Sequence, residues 1–408
     1  MPGRSPARPR SAARSTAVTV AALILAEVLA GACSPVGGPP ASALLRETWN
    51  SYRHDFITGD GQVRDFLQRG PFFSEHVPQV QTTSEGQSYA MLRSVWMDDR
   101  AEFDLVWRWT QTHLQVRHDA LFAWLWQLDG AETGRVRSWS SAADADEDIA
   151  LALIFAGHRW RDPAYLSSAR RILDDIWRAE VVSLGATYYL TAGDWASDYP
   201  AGPVLNPSYF APYAYRIFAR EDPAHPWEAL VAGSYRALRD CSWSPLDKRR
   251  SAGLPPNWCV LGRRSGRAEP FPVSHGTDYG YDAFRVMWRI AIDESWYRSR
   301  DARRYLQESS YLRHEWSRHG RIAAQYPHDG GSAAGSWEDP TIYGGDVGNF
   351  LVTDPPAASS LLQDKLLASF RAGGGAAYWG ERWSYYRQNW VWFGVALASG
   401  ELPNLAAR

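Results

Sequence analysis

Apolar residues along this chain recur at helical rather than strand spacing. Leu166, Ala169, Ile172, Leu173, Ile176 and Trp177 fall three or four apart or side by side, the pattern of one face of an α-helix. Their segment opens on Asp162-Pro163, a side-chain cap followed by proline at the first helical position. Similar patterns predict helices over Glu85 to Trp96, Phe103 to Leu114, Asp148 to His158 and Tyr209 to Ala219. Further ones are expected over Trp227 to Leu238, Ala283 to Ile292 and Trp383 to Ala398. Several are apolar nearly all round, as helices enclosed by other helices are, while others carry one charged face. Alternation of the two kinds over one long stretch suggests a double ring of helices. Strand-like alternation is scarce, although Ala186 to Leu190 reads as a hairpin strand.

With 408 residues, the chain can bury a large core without disulfides or metals. Beyond residue 41 no linker, charge block or low-complexity stretch divides it, so one domain over 42–408 is expected. Ahead of it lies a short tether, 33–41, rich in Pro and Gly. Residues 1–32 read as a signal peptide: Arg4, Arg8, Arg10 and Arg14 precede the apolar run Ala17 to Ala26 and small residues at Ala30-Gly31-Ala32. Cleavage there removes four Arg and one Glu and moves the formal charge from −2 to −5. It also leaves Cys33 first, in a setting that resembles the lipid-attachment motif of bacterial lipoproteins. A secreted or cell-envelope lipoprotein is the expectation. Cys241 and Cys259 bracket a Ser/Pro/Gly-rich segment; a disulfide closing it and two buried free thiols are both open readings.

Near-neutral charge without a basic face argues against a nucleic-acid partner. The 21 Trp and 20 Tyr fit an aromatic-rich core, and equally a cleft whose indoles stack on the apolar faces of sugar rings.

Three acidic motifs stand out. In Thr82-Thr83-Ser84-Glu85-Gly86-Gln87, Ser84 and Gln87 form a capping box that starts a helix at Glu85. A first-turn glutamate is favoured by the helix dipole alone. Gly86, which costs about 1 kcal/mol against Ala within a helix, implies close backbone approach. For Glu85 to act as an acid, burial or a neighbouring carboxylate has to outweigh the dipole, which lowers its pKa. The second motif places Asp144, Asp146, Glu147 and Asp148 at another helix start. Oxygen ligands suit Mg²⁺ or Ca²⁺, but the glycine and distant glutamate of a calcium loop are missing. In the third, Asp282 and Arg285 stand three apart on one face of an apolar, aromatic helix. They make a simple ion pair or, if buried, a functional one. Taken together the motifs suit glycosidic bond cleavage by two carboxyl groups. No H-E-x-x-H, G-x-S-x-G or glycine-rich phosphate loop competes with that chemistry.

Several blocks carry a resemblance in the same order along the chain. They are Thr82-Thr-Ser-Glu85-Gly-Gln-Ser-Tyr89, Ala143-Asp144-Ala-Asp146, Asn206-Pro-Ser-Tyr209-Phe, Pro256-Asn-Trp258, Tyr281-Asp282-Ala-Phe-Arg285, and Tyr385-Tyr386 with Trp392-Phe393-Gly394. The chain resembles glycoside hydrolase family 8, and within it the endoglucanases associated with bacterial cellulose synthases. That resemblance implies an all-α, single-domain (α/α)6 barrel of alternating inner and outer helices. It implies inverting, endo-acting hydrolysis of a β-1,4-linked polysaccharide, cellulose or a related β-glucan, by a monomer with no cofactor and no metal. Carried over, Glu85 is the general acid and Asp282 the general base that activates water. Asp144 would hold the distorted sugar, with Tyr281 and Arg285 positioning Asp282 and the water. Trp124, Trp126, Tyr209 and Trp258 are candidates for sugar stacking, each equally explicable as core. Ala143 stands where the family has Ser or Thr, Asn257 where Asp is commoner, and Glu147 and Asp148 are additional acids. The competing reading is a non-catalytic glycan-binding protein or exopolysaccharide-complex component on the same barrel. Inversion requires the two carboxyls to stand roughly 6.5–9.5 Å apart.

Overall fold

The computed structural model describes residues 40–66, 81–129, 133–246, 250–331 and 337–407. The expected signal peptide, and Cys33 with the tether up to residue 39, lie outside them. One compact unit runs from Ala41 to Arg408, and it is mostly helical.

Its helices are α1 (Ala41–Phe56), α2 (Ser84–Trp96), α3 (Arg100–His113), α4 (Ala143–Trp160), α5 (Pro163–Ala179), α6 (Pro212–Glu221) and α7 (Trp227–Trp243). After them come α8 (Arg285–Tyr297), α9 (Arg300–Glu308), α10 (Tyr311–His319), α11 (Pro340–Thr353), α12 (Pro355–Leu361) and α13 (Tyr385–Ala398). Their packing forms a closed cycle: α2 on α4, α4 on α6, α6 on α8, α8 on α11, α11 on α13, and α13 back on α2. Against that cycle lie α1 on α13, α3 on α2, α5 on α4, α7 on α6, and α9 on α8 and α11.

Sequence pattern separates the two sets. Within the cycle, α4 is buried without a break from Ala143 to Gly157. Its neighbour α5 buries only Tyr165, Ala169, Ile172, Leu173 and Ile176; four of these belong to the expected stripe, whose Leu166 and Trp177 are partly buried at its margins. The Asp162 side chain caps α5 by accepting from the Ala164 N–H at 3.1 Å, with Pro163 at the first position. Each large aliphatic side chain on that stripe contributes about 1.5–3 kcal/mol by leaving water.

Helix α11 was not foreseen, because Gly344, Gly345 and Gly348 depress its propensity. Close packing is what they serve. A Cβ at Gly344 would stand 2.2 Å from the Trp390 carbonyl oxygen, and one at Gly394 only 2.5 Å from the Gly344 Cα. Helices α11 and α13 therefore meet backbone to backbone.

Short strands decorate the helices. The foreseen hairpin strand is real: Thr187–Leu190 pairs antiparallel with Val181–Leu184. Two three-stranded sheets were not expected. One joins Gln81–Thr83, Leu125–Asp129 and Thr133–Ser138; the other joins Val204–Leu205, Cys259–Leu261 and Ala268–Pro270. A second two-stranded pair joins Phe370–Gly373 to Ala376–Trp379. Cys241 of α7 and Cys259 are bridged, with Cα atoms 6.4 Å apart, which decides between the two readings of those cysteines.

Candidate active site

Glu85 sits in the first turn of α2, but the cap differs from the one expected. Thr83, at the end of its strand, accepts from the Gly86 N–H at 3.0 Å. Ser84 instead gives its N–H to the Trp124 carbonyl. Gln87 turns away: its amide donates to Thr110 Oγ1 at 2.7 Å, and its oxygen accepts from the Val63 N–H at 2.6 Å. The capping box is thus replaced by a threonine cap and a glutamine that staples the 61–63 loop to α3. At Gly86 the close neighbour is a side chain, not backbone, since a Cβ would stand 3.4 Å from the Tyr385 ring. That gap lets the Tyr385 hydroxyl reach Glu85 Oε1 at 2.5 Å.

Arg285, the first residue of α8, draws the three acidic motifs together. Its Nη1 donates to Glu85 Oε2 at 2.8 Å, Asp144 Oδ2 at 2.9 Å and the Tyr89 hydroxyl at 3.1 Å. Nη2 donates to Asp282 Oδ1 at 2.7 Å. Asp282 precedes the helix, in a turn whose backbone Asn257 holds. The Trp258 indole N–H meets its other oxygen at 3.1 Å. Arg285 and Asp144 are sealed, with side chains 1 % and 3 % exposed, whereas Glu85 keeps 21 % and Asp282 32 %. Only the two acids assigned to chemistry face outward.

Electrostatics raises both. Burial, the largest influence, pushes the Glu85 carboxyl up to about 7; Asp144 and Asp282 add to the rise, while Arg285 and the Tyr385 hydroxyl oppose it. Desolvation and like charge thus outweigh the helix dipole, the condition stated above. Burial also raises Asp282, against Arg285 and the hydrogen bonds from Asn206 and Trp258.

The acidic start of α4 proves to be four separate inward contacts. Asp144 serves Arg285, and Asp148 makes a two-pronged pair with Arg289 at 3.0 and 2.8 Å. Asp146 accepts from the Phe122 N–H at 2.9 Å and faces Glu180, which burial pushes up to about 8. Glu147 lies beside Tyr215, and burial raises its carboxyl well above the usual range. Among the described residues no group of His, Cys, Asp and Glu is arranged to hold a metal.

The aromatic candidates divide. Tyr209 packs under the Arg285 guanidinium, 5.3 Å from its ring centre, and edge-on to Trp258. Trp124 is 38 % exposed beside the start of α2. Trp126 is core: 7 % exposed, edge-on to Trp109 and His113, and covering Gly134 across the strand pair. Tyr281 is open to solvent, but its hydroxyl donates to Asp339 at 2.7 Å rather than turning to Asp282. Among the described residues three exposed indoles escaped the sequence reading, one of them Trp337, 48 % exposed beside Tyr281. Trp139 and Trp195, 57 % and 41 % exposed, flank a hollow of about 470 Å³ floored by Arg117 and Asp194. Trp195 in turn stands 6.4 Å from Trp258, so exposed rings lead away from Asp282.

Comparison with known proteins identifies the family. Residues 20–317 match the model of glycosyl hydrolases family 8. The chain belongs to that family. An endoglucanase of Xanthomonas axonopodis pv. citri is 34 % identical over 290 residues, 66 % of this chain and 67 % of the relative. Endoglucanase 2 of Ruminiclostridium josui is 34 % identical over 266 residues, 63 % of this chain and 51 % of the relative. The chain thus spans about half the length of that second relative. The endo-β-1,4-glucanase CMCax from Acetobacter xylinum shares the fold at a TM-score of 0.67 and 20 % identity. That superposition covers 88 % of this chain and 99 % of CMCax.

Proposed function

We propose that this family 8 chain is an inverting, endo-acting hydrolase of a β-1,4-linked glucan. In this reading the six-helix cycle is the inner wall of an (α/α)6 barrel, with the flanking helices as its outer layer. One observation carries the chemistry: a single buried guanidinium holds Glu85, Asp144 and Asp282 together, and leaves only Glu85 and Asp282 open to substrate.

Glu85, with a pKa of about 7, holds a proton through much of the neutral range and donates it to the leaving oxygen. The carboxylate it leaves behind is received by Arg285 and the Tyr385 hydroxyl, both already in place. Asp282 takes the proton of a water that attacks from the other face of the sugar. Two hydrogen bonds on one planar guanidinium limit the bonded oxygens of Glu85 and Asp282 to roughly 8 Å apart, which overlaps the span an inverting pair needs. Asp144, with 3 % of its side chain exposed, serves Arg285 rather than holding the sugar itself as the resemblance implied, and Arg285 positions the two reactive acids. Trp124, Trp195 and Trp139 supply stacking faces for further units of an extended polymer. Relatives named as endoglucanases support a β-glucan as substrate. The Cys241–Cys259 bridge supports work in an oxidising compartment, in keeping with export and a lipid anchor at Cys33.

The decisive experiment follows the first-formed product anomer by NMR on carboxymethylcellulose, mixed-linkage glucan, xylan and chitosan, with Glu85→Gln as control. Release of the α-anomer from a β-glucan, lost in the variant, is the expected result. A β-anomer overturns inversion, and undiminished activity in Glu85→Gln overturns the acid assignment.

A further inference from the structure

The turn that carries Asp282 has no regular structure to hold it, because α8 begins only at Arg285. Tyr386 Oη and Arg285 Nε hold the carbonyls of Tyr281 and Asp282, and the N–H groups of residues 282 and 283 are secured together by one further side chain. Asn257 Oδ1 accepts from the N–H groups of both Asp282, at 3.2 Å, and Ala283, at 3.0 Å. The other end of the same amide donates to the His275 carbonyl at 3.0 Å, and the Asn257 backbone N–H donates to the Asp278 carbonyl at 2.8 Å. Both ends of the carboxamide are therefore in use, a pattern a carboxylate cannot reproduce because it only accepts. Gly280 keeps the space open, since a Cβ there would stand 3.3 Å from Asn257 Nδ2. The next residue, Trp258, holds the Asp282 carboxylate, and the one after it, Cys259, is tied covalently to α7.

We infer that Asn257 is a positioning residue for the general base: its neutral amide fixes the Asp282 backbone without adding negative charge beside the Asp282 carboxylate. Asp282 already lies among charged and polar groups from every surrounding element. These are Arg285 on α8, Asp144 on α4, Glu85 on α2, Tyr209 and Asn206 before α6, Tyr386 on α13, and Trp258. Around Asn257 itself stand His275 and Asp278, which are paired with each other at 2.8 Å, and Gln325 bound to Asp278. Another carboxylate at 257 would face Asp282 and Asp278 together, with Arg285 already shared among three acids.

The inference rests on Asp282 being the base, and the test separates the two. Three variants, Asp282→Asn, Asn257→Ala and Asn257→Asp, are assayed on soluble β-glucan across pH, with thermal melts to show that each is folded. Asp282→Asn is expected to be inactive; if it keeps activity, the base assignment fails, and this inference with it. Asn257→Ala loses the clasp, and kcat falls by roughly ten-fold or more, as a misplaced base demands, with KM within about two-fold. Asn257→Asp can still accept from both N–H groups, though it loses the bond to His275, so its plateau kcat recovers most of what Asn257→Ala loses. Its added charge favours the protonated base, so the acid limb of the profile moves up by roughly half a unit to one unit. With Asp282→Asn inactive, a parental kcat in Asn257→Ala, or an unmoved acid limb in Asn257→Asp, overturns the inference.

Discussion

Helix α8 presents two buried arginines one turn apart, and helix α4 presents two aspartates at the same spacing to meet them. Arg285 with Asp144 and Arg289 with Asp148 form successive rungs between the two helices. Both guanidiniums are 1 % exposed, yet the rungs do different work. Arg289 gives both terminal nitrogens to one carboxylate and takes the Tyr213 hydroxyl as a third partner. That rung is closed. Arg285 divides itself among three carboxylates, two of which keep about a fifth to a third of their side chains open. Burial of charge is common to both; what distinguishes a reactive centre is an incompletely neutralised group of acids with a path to solvent. A buried one-to-one pair instead fixes how two helices register, at a desolvation cost.

Breaking the open rung should have the largest effect. Arg285→Met leaves three acids without their shared counter-charge, and kcat should fall by about 10³-fold or more in steady-state assays. Breaking the closed rung should act on stability. Arg289→Met strands Asp148 and should cost roughly 3–5 kcal/mol in denaturant unfolding, with kcat largely kept at a permissive temperature. Adding Asp148→Leu should recover most of that loss, because a matched apolar pair replaces a matched ionic one. A comparable loss of kcat from Arg289→Met would erase the distinction between the rungs.

Smaller changes sharpen the contrast. Glu85 must be protonated to act, and its carboxyl is pushed up to about 7. The alkaline limb of kcat/KM should therefore lie near that value, with activity falling as pH rises through it. Proton uptake also bears on folding. Glu180, raised to about 8 by burial, binds its proton more tightly folded than unfolded, so its contribution is complete below about pH 4.5 and declines up to about 8. Glu180→Gln should accordingly flatten the fall in Tm between about pH 4.5 and 8. The mildest effect belongs to Trp139→Ala, which should raise KM for long glucans a few-fold while leaving short oligosaccharides unaffected.

How far the sequence foretold this arrangement depended on the kind of signal. Helices with a strong apolar stripe, such as α5, were legible because burial on one face writes directly into spacing. Helix α11 was not, because its packing is paid for with glycines that read as breaks. The acids Glu85, Asp144 and Asp282 were visible through their motifs, and the structure brings all three onto one guanidinium. Their surroundings were less visible. Gln87 looked like a cap because local spacing says nothing of partners such as Thr110 and Val63. Trp126 could not be told from a surface ring, since its burial follows from strand pairing over Gly134. Trp139, set among Arg137, Ser138, Ser140 and Ser141, did carry a usable clue: a large indole in a polar run has little core to enter.

The contact between Gly344 and Gly394 reaches further than its size suggests. Because no side chain intervenes there, the spacing of α11 and α13 is set by two peptide backbones, which are far less compressible than packed methyl groups. Tyr385 rides on the same rod as Gly394, nine residues and about 13 Å away, and its hydroxyl is what touches Glu85. A single methyl inserted at that seam would thus act as a wedge, tilting the rod and detuning the proton donor without coming near a sugar.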